Sequence, residues 1–213
     1  LKPKTRNYDN EIFVSTLYKF LGFLSPRSAY VDLTYNKKKF KFIFQEIINK
    51  EFLENNKLVE SAIYSGDERL VFDSKFLKTS HKYISLHKLD NKKWIKEDRN
   101  KLYISSSALK KLNSINFFHN IEVPEYDLID YYTSTKRENF KGYFKILPIF
   151  DALSYSMDSS HNLSRDDRRF YYDYHNNIFL PIYYDGNSSI LDDDYIILQD
   201  RISAKDTKVI NSA

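Results

Sequence analysis

The sequence predicts an α+β fold. Three observations carry that expectation. Aromatic and polar residues alternate over short stretches near both ends of the chain, the period of a half-buried strand. Apolar residues recur three and four apart in other stretches, the period of a helix. Polar turns join these stretches, with no internal repeat and no low-complexity linker. The chain has 213 residues, enough for one large domain or two small lobes around a sizeable core.

The first element is "NYDNEIFVSTLYKFL", Asn7 to Leu21. Ile12, Phe13, Leu17, Phe20 and Leu21 are at helical spacing, and Gly22 stands where a glycine just past the last turn stops a helix. After Ser25 and Pro26, "SAYVDLTY" predicts a strand from Ala29 to Tyr35. "NKKK" is a polar turn, and "FKFIFQE" alternates Phe40, Phe42 and Phe44 with Lys41, Ile43 and Gln45, which predicts the second strand of a hairpin. Glu46 to Asn56 reads as a helix with Ile47, Ile48, Phe52 and Leu53 towards a core. Residues 61–104 mix short apolar pieces with charge and support no assignment.

Ser105 to Phe117 reads as a helix with serine caps, Val123 to Leu128 as a connector, and Asn139 to Leu147 as a short helix or strand. Pro148 suits a first helical position, and Phe150, Leu153 and Met157 share one face of the helix that follows. That helix runs into the polar loop "DSSHNLSRDD" and then into "RRFYYDYHNNIFLPIYYDGN", Arg168 to Asn187, a hairpin of two aromatic strands whose second strand exits at Asp185-Gly186. The tail after Leu191 is polar and reads as exposed.

Composition narrows the function. The 33 Lys and Arg against 29 Asp and Glu leave +4, with both signs mixed along the chain, which is not the basic stripe of a nucleic-acid binder. There is no cysteine, so disulfides, thiolate zinc sites and a cysteine nucleophile are excluded. No apolar run approaches the roughly 18 residues of a membrane span, and the N-terminus has no signal-peptide pattern. The 18 Tyr and 16 Phe against 4 Gly and 5 Pro mark a folded, aromatic-rich chain. No G-x-x-x-x-G-K, G-x-G-x-x-G or G-x-S-x-G motif occurs.

What remains is acidic. A helix feeding a polar loop, followed by a hairpin, returns the chain to the loop, so Asp158, Asp166 and Asp167 can face Asp185. Clustered carboxylates repel unless a cation lies between them, and Mg²⁺ takes one or two carboxylates with phosphate oxygens and water. Gly186 allows a sharp turn or the close approach of a ligand. A solvated loop with a plain Asp-Gly turn accounts for the same pattern. His161 and His175 lack the spacing of a nitrogen-rich metal site, and Asp192 to Asp194 lack calcium-loop spacing.

The stretch from Arg6 to Glu46 resembles the CotH kinase family, the spore-coat CotH-like proteins with an atypical protein-kinase-like fold. The matching pieces are Arg6-Asn7, Leu21-Gly22, Pro26-Arg27, the strand Val31 to Tyr35, Asn36, and the aromatic strand Phe40 to Glu46. The C-terminal hairpin is similar to that family's second signature, in which a catalytic loop, a strand, a turn and a strand lead to a metal-binding aspartate; Asp185 falls at that position. The resemblance implies a two-lobed fold with an incomplete N-terminal lobe over residues 1–56, an insertion or lobe connection over 57–135, a C-terminal core over 136–191 and a tail over 192–213. It implies ATP in the crevice, with adenine near Gln45, Glu46 and Ile47, and Mg²⁺ held by Asp185 with Asp167 as second ligand. Catalytic roles fall to Asp166, Asp167 and His161, and Arg168 is placed to meet phosphate, although Arg168 and Arg169 suit pairing with neighbouring aspartates equally well. The implied acceptor is a Ser, Thr or Tyr hydroxyl of a coat or bacterial cell-surface protein.

Two departures stand beside this. The family's upstream Arg-Gly-Asn loop and phosphate-binding Lys have no counterpart, so the resemblance implies a fragment or a protein that has lost this part. A kinase loop places its base about five residues before an Asn ligand; here that base position falls near His161 or Asn162, where no carboxylate stands. A kinase-like module that holds nucleotide or a protein partner without transferring phosphate fits that departure. A metal-dependent enzyme acting on sugar or surface polymer is the more remote alternative.

Overall fold

The computed structural model describes residues 1–67, 86–96, 98–119, 146–164 and 167–192, the side chains of 115–119 excepted. The fold is mixed α+β, with five helices and two antiparallel sheets among these residues.

A 3₁₀ turn, Pro3–Arg6, precedes helix α1, Asp9–Phe20. Asp9 and Glu11 lie in the first turn of α1, where negative charge complements the helix dipole. The helix ends as its glycine predicts. Gly22 has φ +86°, its N–H donates to Lys19 O at 3.1 Å, and the Phe23 N–H donates to Tyr18 O at 2.9 Å, which is the Schellman arrangement. The buried face is not the apolar one. Asn10, Glu11, Val14, Ser15 and Tyr18 point inward, while Phe13 is exposed and Phe20 is 85% exposed. The cause is local: α1 packs against polar groups that follow the second hairpin, and those groups draw in Asn10 and Glu11.

Strands β1, Ser28–Tyr35, and β2, Lys38–Gln45, pair in register from Ser28 with Gln45 to Tyr35 with Lys38. Asn36 and Lys37 close the hairpin with φ of 49° and 62°, the two positive values that a tight, twist-matched turn requires. Helix α2, Lys50–Asn55, is shorter than its sequence pattern. Asn49 caps it by accepting from the Phe52 N–H at 3.2 Å, and Glu46 is held in an extended connection by its N–H to Arg27 O at 2.9 Å.

The second sheet joins distant segments. Its order is β4–β3–β5–β6, all antiparallel, with β3 at Ile63–Gly66, β4 at His87–Leu89, β5 at Arg169–Asp173 and β6 at Ile178–Ile182. The ambiguous region thus supplies two strands to the sheet that carries the predicted hairpin. The remaining helices are α3, Lys92–Ile95, α4, Arg99–His119, and α5, Leu147–Ser156, with Pro148 in its first turn as expected. Helix α4 begins ahead of the predicted Ser105. The expected elements at 123–128 and 139–145, and the tail from 193, lie outside the described residues.

Alternation along the strands divides the core. Phe170, Tyr172, Phe179 and Tyr64 face Val14 and Tyr18 of α1, Ala108 and Leu112 of α4, and Leu147 and Phe150 of α5. Ile63, Tyr171 and Ile182 point to the opposite face and cover Phe52 and Leu53 of α2. A parallel bridge from Leu24 to Ile182, with the Tyr183 N–H on Leu24 O at 2.8 Å, fastens the exit of α1 to the edge of the sheet.

Candidate functional site

Helix α5 ends at Ser156, and a 3₁₀ turn, Ser160–Leu163, follows. The chain then rises through the hairpin and returns beside that turn. The hairpin turn itself is held by Asp173, whose Oδ1 accepts from the His175 and Asn176 N–H groups at 3.0 and 3.2 Å. Strand β6 ends at Ile182, so Asp185 sits past the strand rather than at its last residue. Asp185 has φ +51° and Asn187 φ +50°, left-handed values that short polar side chains such as Asp and Asn tolerate.

His161, Asp167 and Asp185 converge. One ligating atom from each lies within 4.8 Å of the others. His161 Nδ1 is 2.9 Å from the Asp185 backbone oxygen and 3.3 Å from Asp167 Oδ2. A neutral imidazole in that position carries its proton on Nδ1, which leaves Nε2 as the basic nitrogen. Asp167 also accepts from Ser164 Oγ at 3.0 Å. Arg6 forms an ion pair with Asp185.

The other predicted residues that the structure describes lie elsewhere. Arg168 is buried, and its guanidinium grips Asp151 of α5 at 3.0 to 3.3 Å. Burial pushes the Asp151 carboxyl up, and Arg168 opposes the rise. The arginine expected to meet phosphate or a neighbouring aspartate thus ties α5 to the hairpin. Arg169 pairs with Asp90 at 3.1 Å and stacks on Tyr184 at 3.8 Å. The Gln45 side chain donates to Glu11 at 3.0 Å. Glu46 accepts from Arg27 and Asn55 at 2.8 and 2.7 Å, and these bonds hold its carboxyl low in spite of burial. Ile47 is 75% exposed. Asp158 bonds Ser189. Asp166 lies outside the described residues.

Residues that the sequence reading passed over hold the cluster in place. Glu11 accepts from the Tyr183 hydroxyl at 2.9 Å and from Gln45, and it meets the Gly186 N–H. Burial raises its pKa from 4.5 to about 7, against the opposing pull of these donors and of Arg6. Asn7 donates to Ser188 O, and Asn10 bonds Asp192 and the Leu191 N–H at 2.8 and 2.7 Å. Residues 6–11 thus clamp residues 185–192. Gly186 is required by space: a Cβ there would fall 2.6 Å from the Tyr183 hydroxyl and 2.9 Å from Ser159 Cβ. The signal for Glu11 and Asn10 was present, since they share a face with Val14 and Tyr18, but the apolar face of α1 outweighed it.

No family model, curated protein or solved structure matches the chain.

Proposed function

We propose that the chain is a CotH-like, protein-kinase-like phosphotransferase that moves the γ-phosphoryl group of ATP, with Mg²⁺, to a Ser, Thr or Tyr hydroxyl of a protein of the coat or cell surface. One observation carries the reading. Two carboxylates and an imidazole meet within ligating distance, one acid from the loop after α5 and one from the segment after the hairpin. These are the acids that the resemblance assigns to the cation.

The donor set fits. Two carboxylates suit a hard cation that keeps water and phosphate in its remaining positions. Asp185 and Asp167 would hold Mg²⁺, which supplies charge neutralisation at the phosphoryl group. His161 Nε2 would take the proton of the acceptor hydroxyl as its oxygen bonds to phosphorus and the bridging P–O bond to ADP breaks. Glu11, through Tyr183 and the Gly186 N–H, would keep the Asp185 turn rigid.

The test is transfer of γ-labelled phosphate to a mixed panel of Ser, Thr and Tyr acceptor proteins. Label transfer lost in His161→Gln and in Asp185→Asn supports the reading. A second reading, a nucleotide-holding module without transfer, draws on the absence of a carboxylate at the base position; it predicts Mg²⁺-dependent ATP binding with no label transfer.

A further inference from the structure

Arg6 stands where a cation would stand. Its Nη1 is paired with Asp185, and its Nη2 donates to the Tyr184 hydroxyl at 3.1 Å. Its guanidinium carbon lies 5.1 Å from the Tyr184 ring centroid. The residue is 9% exposed, and its Nε is buried without a hydrogen-bond partner among the described residues. A full positive charge is therefore held against Asp185, one acid of the cluster, with one donor unsatisfied among the described residues.

A guanidinium and a divalent cation want the same carboxylate oxygens and repel each other side by side. The two cannot both rest on Asp185. If a bare cation takes Asp185, Arg6 loses its paired carboxylate in a buried place and keeps only the longer-range pull of Glu11, which is unfavourable. If the cation arrives with a polyphosphate, Arg6 receives a new acceptor whose oxygens suit its forked donors. Arg6 belongs to the short turn ahead of α1, so its long side chain can exchange partners while the helix stays packed.

Resting on the cation-site reading above, we infer that Arg6 gates the site. It neutralises Asp185 when no divalent cation is bound, and it passes to a phosphate oxygen when a cation–polyphosphate complex takes that carboxylate. The gate makes the site selective for the complex over the free cation.

The experiment is calorimetric titration of the whole chain with Mn²⁺ alone and with Mn²⁺·tripolyphosphate. The proteins are the wild type, Arg6→Gln and Arg6→Lys, each checked for folding by circular dichroism. Mn²⁺ alone is expected to bind Arg6→Gln about tenfold more tightly than the wild type, with Arg6→Lys unchanged, while Mn²⁺·tripolyphosphate binds both variants about tenfold more weakly. Equal or weaker Mn²⁺ binding by a folded Arg6→Gln overturns the gate while the cation site stands. If Arg6→Gln does not fold, Arg6→Met decides by the same two titrations, and unchanged Mn²⁺ and tripolyphosphate binding there also overturns the gate. No Mn²⁺ binding in any form or protein removes the cation-site reading, and the inference with it.

Discussion

Replacing Glu11 by glutamine should flatten a defined part of the stability–pH profile. The carboxyl is buried, and its pKa rises from 4.5 to about 7 on folding. The folded protein therefore binds a proton more tightly than the unfolded chain. Between these two values folding takes up a proton, so stability falls as pH rises. The contribution is complete below 4.5 and gone above about 7, a span that corresponds to about 3 kcal/mol. His87 acts in the opposite direction. Burial, reinforced by Arg168, lowers its pKa from 6.5 to about 3, so its contribution is present above 6.5 and lost as pH falls towards 3. The His87 effect cancels in a comparison of wild type with Glu11→Gln. Urea unfolding of both proteins at pH 4.5, 6 and 8 isolates the Glu11 term. The wild type should lose about 3 kcal/mol relative to the variant between the acid and alkaline ends. A difference that stays constant with pH would mean that Glu11 ionises alike in the folded and unfolded states, against the burial seen here.

Asp151→Ala should cost about 3–5 kcal/mol in urea unfolding, because it removes the buried carboxylate that the Arg168 guanidinium grips. The double change Asp151→Leu with Arg168→Met should recover most of that loss, and a double variant as unstable as the single one would contradict this account. Gly186→Ala should lower stability by about 1–3 kcal/mol by driving the Tyr183 ring from its place, read as a fall in the melting midpoint. Asn49→Ala should cost about 1 kcal/mol through the lost cap of α2, while Asn49→Ser should retain most of it.

The hairpins were legible because period-2 alternation and turn chemistry act locally. Phe40, Phe42 and Phe44, the Asn36-Lys37 turn, and the aromatic strands around Asp173 needed no tertiary information. The approach of Asp167 to Asp185 follows from the same locality, since a hairpin returns its exit to its entrance, whereas Asp158 bonds Ser189 and Asp166 lies outside the described residues. The rest depended on distant partners. Strands β3 and β4 are short, and β3 is paired by strands far along the chain on both sides, so no local period marks them. The inner face of α1 was hidden for a related reason. Glu11 faces inward because Tyr183 and Gly186 need an acceptor, and those groups lie at the other end of the sequence. Arg168 reaches Asp151 across a helix and a loop, a pairing that no local pattern marks.

The most direct measurement is calorimetric titration with ATP, with and without Mg²⁺, on the wild type beside Asp185→Ala and Asp167→Ala. ATP binding should require Mg²⁺ and be lost or greatly weakened in both variants. Folded wild-type protein that binds no Mg²⁺·ATP, or binds it equally well without either acid, would contradict the proposed site.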